Sequence, residues 1–144
     1  MNITIFTDGA CSGNPGIGGW GGVIIIPNKD PIYLHGGKKD TTNNQMEITA
    51  AIKVLQYFQQ SQNIDIFTDS KYVKNGIESW INNWKKNGWK TSSKKPVKNK
   101  DLWVSLDEQI RIHKVKWNWV KGHSGNKNNE MADILARRFI ENNN

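Results

Sequence analysis

The spacing of apolar positions divides the chain into a strand-rich opening and a mixed remainder. Ile3 to Thr7 reads as a first strand ended by Asp8-Gly9, and the glycine-rich stretch from Gly13 to Gly22 reads as a connection. Val23 to Ile26 and Ile32 to His35 read as two further short strands, closed by Pro27-Asn28 and Gly36-Gly37, which predicts an antiparallel meander. The period then changes. Met46, Ala50, Ala51, Val54, Leu55 and Phe58 recur at three- and four-residue spacing, which predicts a helix over 45–58 with Asn44 as its N-cap.

Beyond that helix, Ile64 to Thr68 predicts a strand. Lys71 to Ile77 and Trp80 to Lys86 predict two short helices broken near Gly76, and Gly88 to Asn99 predicts a loop. Leu102, Leu106 and Ile110 mark a helix over 102–112, and Val115 to Val120 a strand with Trp117 and Trp119 on one face. Lys127 to Ile140 predicts a last helix, and the tail Asn142 to Asn144 is expected to fray. The order β-β-β-α-β-α-α-α-β-α implies one α/β domain over 1–144, a mixed sheet with helices on both faces.

A chain of 144 residues can bury a sizeable core without disulfides or structural metal. No apolar run approaches the ~18 residues of a membrane helix, and Met1 leads straight into Ile3-Thr4-Ile5-Phe6 without the pattern of a signal peptide. With the lone Cys11, a cytoplasmic protein with no membrane partner is expected, monomeric by default.

Charge adds a partner. Twenty Lys and Arg stand against 13 Asp and Glu, a net charge of +7. Between Glu78 and Asp101 there is no acid, and that gap holds seven lysines: Lys85, Lys86, Lys90, Lys94, Lys95, Lys98 and Lys100. The whole excess therefore sits in one short segment, which points to a polyanion. Trp80, Trp84, Trp89 and Trp103 lie in or beside it, and aromatic faces interleaved with lysines suit stacking on sugars and bases next to phosphates.

The candidate chemistry is carboxylate. Ile5-Phe6-Thr7-Asp8 recurs as Ile66-Phe67-Thr68-Asp69. If the two strands are parallel neighbours, both aspartates lie at the carboxyl edge of the sheet, where open α/β sheets bind ligands. Glu47 lies early in its helix beside Ala50, Ala51 and Val54. Alone it reads as half of a capping box with Asn44. Asp133, with Ala136 and Ile140 on its face, reads alone as an ion pair with Arg137. Brought together, Asp8, Glu47, Asp69 and Asp133 would repel strongly unless cations bound between them. Such hard oxygen donors suit Mg²⁺ or Mn²⁺, and paired ions about 3.5–4 Å apart are the usual machinery for in-line attack on phosphodiesters. His123, in the Gly-bounded run Lys121-Gly122-His123-Ser124-Gly125, suits proton transfer, whereas His35 and His113 read as structural.

In sequence, the chain closely resembles the type-1, bacterial-type ribonuclease H family over nearly its whole length. Thr7-Asp8-Gly9, Gly13-Asn14-Pro15-Gly16, Thr41-Thr42-Asn43-Asn44, Met46-Glu47, Thr68-Asp69-Ser70 and Trp80 carry the likeness. It continues through Trp84-Lys85-Lys86-Asn87-Gly88-Trp89-Lys90-Thr91, Val120-Lys121-Gly122-His123 and Asn129-Glu130-x-x-Asp133. The resemblance implies a ribonuclease H-like fold: a five-stranded mixed sheet of three antiparallel and then parallel strands, with the strands of Asp8 and Asp69 adjacent. It implies endonucleolytic hydrolysis of the RNA strand of RNA–DNA hybrids, leaving 3′-hydroxyl and 5′-phosphate ends, with Mg²⁺ or Mn²⁺, two ions when substrate is bound.

By position, the resemblance makes Asp8, Glu47, Asp69 and Asp133 the metal ligands and His123 the proton-transfer and product-release residue. It places Asn14, Asn43 and Asn44 on the RNA strand, Thr42 and Asn99 on a phosphate of the DNA strand, and Tyr72 and Trp80 along the DNA channel. It makes the segment at about 80–100 a basic protrusion carrying Trp84, Lys85, Lys86, Trp89 and Lys90. The chain departs from the family pattern at Lys71 and Asp40, where bacterial members often have Gln and some relatives a basic residue. Two competing readings remain, a binder without catalysis and a strand-transferring enzyme of the same superfamily. Cleavage of hybrid, duplex DNA and duplex RNA in parallel separates them.

Overall fold

A computed structural model describes residues 2–121 and 126–143. Five strands, β1 (Asn2–Ser12), β2 (Gly16–Ile25), β3 (Ile32–Thr41), β4 (Asn63–Thr68) and β5 (Lys114–Trp119), form one mixed sheet in the order β3-β2-β1-β4-β5. β1 pairs antiparallel with β2 and parallel with β4, and β4 pairs parallel with β5. From β1 the chain builds out to β2 and β3 on one side and to β4 and β5 on the other. Strand order therefore reverses between the parallel neighbours β1 and β4, the arrangement that opens a ligand crevice at their carboxyl edge.

The first three strands are longer than the apolar runs suggest. Asp8-Gly9 does not end β1, which continues against β2 until Ser12 faces Ile17. The glycine-rich stretch, expected as a connection, is mostly strand β2. Its glycines alternate in purpose as strand residues alternate in direction. A Cβ on Gly19 or Gly21 would run into the backbone of Ala136 or Ala132, and one on Gly22 into the side chain of Val54. The missing side chains let a helix lie close on each face.

Those helices are α5 (Lys127–Asn142), which covers β1, β2 and β3 on one face, and α1 (Asn43–Gln56) on the other. Under α5, Phe6, Val23, Ala132 and Leu135 form a small core. The larger core lies on the α1 side, where Ile3, Ile5, Ile24, Ile64 and Ile66 from the sheet meet Ile48, Ala51, Ile52 and Leu55. Helix α4 (Lys100–Ile112) joins them through Trp103 and Leu106. His113 is structural as expected: Gln62 N–H donates to its Nδ1 at 3.1 Å, which leaves Nε2–H to donate to the Leu55 carbonyl at 3.1 Å.

Thr42, not Asn44, caps α1, accepting from the amide of Gln45 at 3.2 Å. Asn44 already lies within the helix. The expected break near Gly76 is also absent. Helix α2 (Lys71–Asn75) runs through a π-helical stretch, Gly76–Trp80, into α3 (Ile81–Lys86). Gly76 has ordinary helical angles, φ -62° and ψ -48°. It is glycine because the Trp103 ring occupies the place of a side chain.

Candidate active site

The repeated tetrapeptide has a structural counterpart. The β1–β4 register pairs Ile5 with Ile66 and Phe6 with Phe67, and the two phenyl rings stack 5.0 Å apart. Beyond that pairing β4 ends and β1 continues, so Asp8 and Asp69 emerge side by side at the carboxyl edge. Helix α1 brings Glu47 to the same point. Gly9 makes this approach possible, since a Cβ there would lie 2.6 Å from the Glu47 nitrogen. The bare Gly9 amide instead donates to Glu47 Oε1 at 2.6 Å and to Asp8 Oδ1 at 2.9 Å.

Each of Asp8, Glu47 and Asp69 offers a carboxylate oxygen within 4.8 Å of the others. Burial raises the Asp8 pKa to about 7, helped by the charge of Asp69. Burial likewise pushes Glu47 well up, followed by the charges of Asp8 and Asp69. Without a cation the cluster therefore takes up protons rather than carry its full charge. Among the described residues the donor set is hard oxygen without thiolate or imidazole, which fits Mg²⁺ or Mn²⁺ better than zinc.

Asp133, on α5, lines the same cleft and lies beside Asp8. Its Oδ2 also accepts from Arg137 Nη2 at 2.8 Å. The ion pair and the place in the cleft, weighed as alternatives from sequence, coexist. The cleft measures about 400 Å³ and is completed by Gly9, Asn43, Asn44, Ser70, Lys71 and Tyr72. Asn14 belongs to its neighbourhood, because its Oδ1 accepts from the Asn43 amide at 3.1 Å. His123 lies outside the described residues.

The family model described as RNase H matches residues 1–141. The chain belongs to the ribonuclease H family. A ribonuclease H of Francisella philomiragia subsp. philomiragia is 57% identical over 139 residues, 96% of this chain and 91% of its own length. The crystal structure of LC9-RNase H1, a type 1 RNase H with the type 2 active-site motif, superposes with a TM-score of 0.85. Its identity is 28%, over 99% of this chain and 74% of its own. LC11-RNase H1, solved in complex with an RNA/DNA hybrid, shares the fold at a TM-score of 0.74 and 21% identity, over 97% of each chain. The chain is thus an enzyme of the ribonuclease H family on the ribonuclease H fold.

Against that identity the remaining site residues fall into two groups. Thr42 caps α1, and Asn99, in the left-handed region at φ 59°, sits at the centre of a hydrogen-bonded chain. Gln45 Nε2 donates to Asn99 Oδ1 at 3.1 Å, while Asn99 Nδ2 donates to Tyr72 Oη at 3.0 Å. Trp103 Nε1 donates to the same hydroxyl at 3.2 Å. This chain ties the start of α1 to α2 and α4 beside the cleft. Gln45 and Ser70 were not anticipated. Ser70 caps α2, is buried, and places its hydroxyl beside Glu47. The run Thr42-x-x-Gln45, a capping-box spelling, was the signal for the first.

The second group is the tryptophan–lysine segment. Trp80, Trp84 and Trp103 interlock, with centroids of Trp80–Trp84 at 5.8 Å and Trp84–Trp103 at 5.7 Å. Trp89 follows Trp84 at 6.3 Å and Tyr72 follows Trp80 at 5.6 Å. Trp103 is 0% exposed, which corrects its expected place on a stacking surface. It is the floor on which the half-buried rings rest. The loop after α3 folds back through a bridge between Lys90 and Pro96, and Val97 plugs the core. Lys86, Lys90, Lys94, Lys95, Lys98 and Lys100 face solvent, apart from a partly shielded Asn99 between the last two. Lys85 Nζ lies 3.4 Å from Asp107 Oδ1.

Proposed function

We propose that the chain is an endonuclease that hydrolyses the RNA strand of RNA–DNA hybrids, leaving 3′-hydroxyl and 5′-phosphate ends. The observation that carries this reading is the convergence of Asp8, Glu47 and Asp69 within 4.8 Å, in a cleft that Asn43 and Asn44 share. Asp8, Glu47, Asp69 and Asp133 would hold Mg²⁺, with Mn²⁺ as substitute and two ions once substrate is present. When bound, such ions supply an activated water and offset the charge that builds on the phosphoryl oxygens.

The protein's own residues supply position. Asp8, Glu47 and Asp133 are seated on β1, α1 and α5, and Asp69 sits in the two-residue connection between β4 and α2. Asn14, Asn43 and Asn44 meet the RNA strand, where short amides can read the 2′-hydroxyl that DNA lacks. Thr42 and Asn99 take a phosphate of the DNA strand, and Tyr72 and Trp80 line its channel. Trp84, Lys85, Lys86, Trp89 and Lys90 form the grip of a basic protrusion at about 80–100 within one domain. His123 moves protons and helps product leave. We place the enzyme in the cytoplasm as a monomer; among the described residues no helix is long and apolar enough to cross a membrane.

The test is parallel incubation of end-labelled hybrid, duplex DNA and duplex RNA with Mg²⁺. Cleavage confined to the RNA of the hybrid supports the reading. Binding without cleavage, or cutting of DNA, overturns it.

A further inference from the structure

A second cavity of about 480 Å³ opens on the other side of Asp69, lined by Asp69, Ser70, Lys71, Lys74, Trp119, Val120 and Lys121. It shares Asp69, Ser70 and Lys71 with the acid cleft, so the two cavities adjoin across the residues that follow β4. Its volume falls within the range of about 300–1,000 Å³ usual for small-molecule sites. Three lysines line it, and among the described residues none of the three is in an ion pair. Lys74 is half-buried along its wall, while Lys71 and Lys121 reach solvent. Trp119 stacks on Trp117, centroids 5.3 Å apart and planes 6° from parallel.

A site that is positive at the rim and aromatic at the wall, and that joins a cluster of acids, fits an anion with a flat ring attached. Phosphate meets the lysines and sugar or base meets the indole. We propose that this cavity holds the nucleotide of the cleaved strand next to the scissile phosphate, with Lys74 and Lys121 on its phosphate and Trp119 against its ring. This rests on the nuclease reading above. A strand whose scissile phosphate lies over Asp8, Glu47 and Asp69 continues past Asp69, and the shared lining leads it here. The lysines' field also draws an anion toward carboxylates that would otherwise repel it.

The experiment measures binding of a short fluorescein-labelled RNA–DNA hybrid by anisotropy in EDTA, where no cleavage can occur. It compares wild type, Lys74→Gln/Lys121→Gln and, as a control of equal charge, Lys114→Gln/Lys116→Gln on β5. The first variant should bind about tenfold more weakly at moderate salt, with a log–log salt slope flatter by about 1–2. The control should keep the wild-type slope. Equal losses in both variants would overturn the cavity in favour of diffuse attraction. Single neutral methylphosphonate linkages then locate the contact. Next to the scissile linkage in RNA, one should weaken wild type several-fold and the Lys74/Lys121 variant hardly at all. The same pattern from a linkage in the DNA strand would overturn the assignment to the cleaved strand. Trp119→Phe should bind better than Trp119→Ala by a few-fold, and equal affinity for the two would remove the ring contact. Cleavage by wild type, run alongside, tests the nuclease reading separately. If wild type binds but does not cut, that reading fails while the binding comparison still stands.

Discussion

The acid cleft and the tryptophan–lysine segment solve opposite problems. In the cleft, like charges are forced together by rigid elements, half-withdrawn from water, at a cost in stability. In the segment, like charges stand apart in solvent, on the end of α3, the loop after it and the start of α4, over half-buried rings that rest on the buried Trp103. Chemistry on a phosphodiester needs carboxylates that do not move, so β1, the residue after β4, and helices α1 and α5 carry them. Grip on a polyanion needs only charge at roughly the right distance, so a loop serves. The contrast teaches where each kind of substitution should register: changes in the cleft in turnover and in metal-free stability, changes in the segment in binding and its salt dependence.

The sharpest break is Asp69→Asn. A neutral amide is a poor replacement for a metal-binding carboxylate, so hybrid cleavage in Mg²⁺ should fall by ~10²-fold or more. Metal-free thermal stability should hold or rise, because a like charge leaves the cluster. An active variant, or one that fails to fold, would show that the acids serve structure first.

Replacing Lys85, Lys86, Lys90, Lys94 and Lys95 with Ser tests the other side. KM should rise strongly at physiological salt while kcat at saturating hybrid changes little, as expected when uniform binding is lost. If two or three of these lysines meet phosphates at once, the salt slope of affinity should flatten by roughly 2–3. Lys85, already beside Asp107, should matter least when each is changed singly. Parallel salt titrations for variant and wild type would remove the segment as a handle.

Asp8→Asn sharpens the electrostatic half. The folded-state pKa of Asp8, about 7, lies above its ordinary 3.8, so the folded protein binds the proton more tightly than the unfolded chain. The stability this lends is complete below pH 3.8 and is lost as pH rises through 7. Metal-free wild type should therefore lose ground to Asp8→Asn by a few kcal/mol across that window. Saturating Mg²⁺ should narrow the gap. A gap independent of pH would mean that the cluster carries its charge without strain.

The smallest effect belongs to the roots of the segment. In an exposed helix Ala is favoured over Gly by about 1 kcal/mol. Gly76→Ala should go the other way and destabilise by about 1–3 kcal/mol, because the Trp103 ring must shift. Denaturant midpoints decide it, and a stabilised variant would show that the ring cluster yields easily.

What could be read from sequence follows the same division. The acids were legible because they stand in a repeated strand pattern and at helix starts, where local chemistry forecasts position. The long helices and the apolar cores of the strands were legible through their periods. The glycine-rich β2 was not, since its pattern reflects helices packed on both faces, a tertiary fact without a local mark. Gly76 misled for the same reason: space for Trp103 and a helix break are spelled alike. Thr42 was passed over as cap because two asparagines follow it, and only the backbone shows which residue precedes the first turn. Trp103 counted among surface rings because it stands just beyond the lysine-rich segment that ends at Lys100, while its helix turns it inward.

The tetrapeptide shared by β1 and β4 also acts as a ruler. Because side chains alternate, the smallest slip that preserves which face each residue presents is two positions, about 6.6 Å along a strand. That exceeds the 4.8 Å within which the three acids gather. A misthreaded sheet could keep much of its apolar burial and still lose its carboxylate cluster. Divalent-ion binding by a refolding population would therefore count the molecules threaded in the correct register, a proofreading signal that overall helix and strand content could not provide.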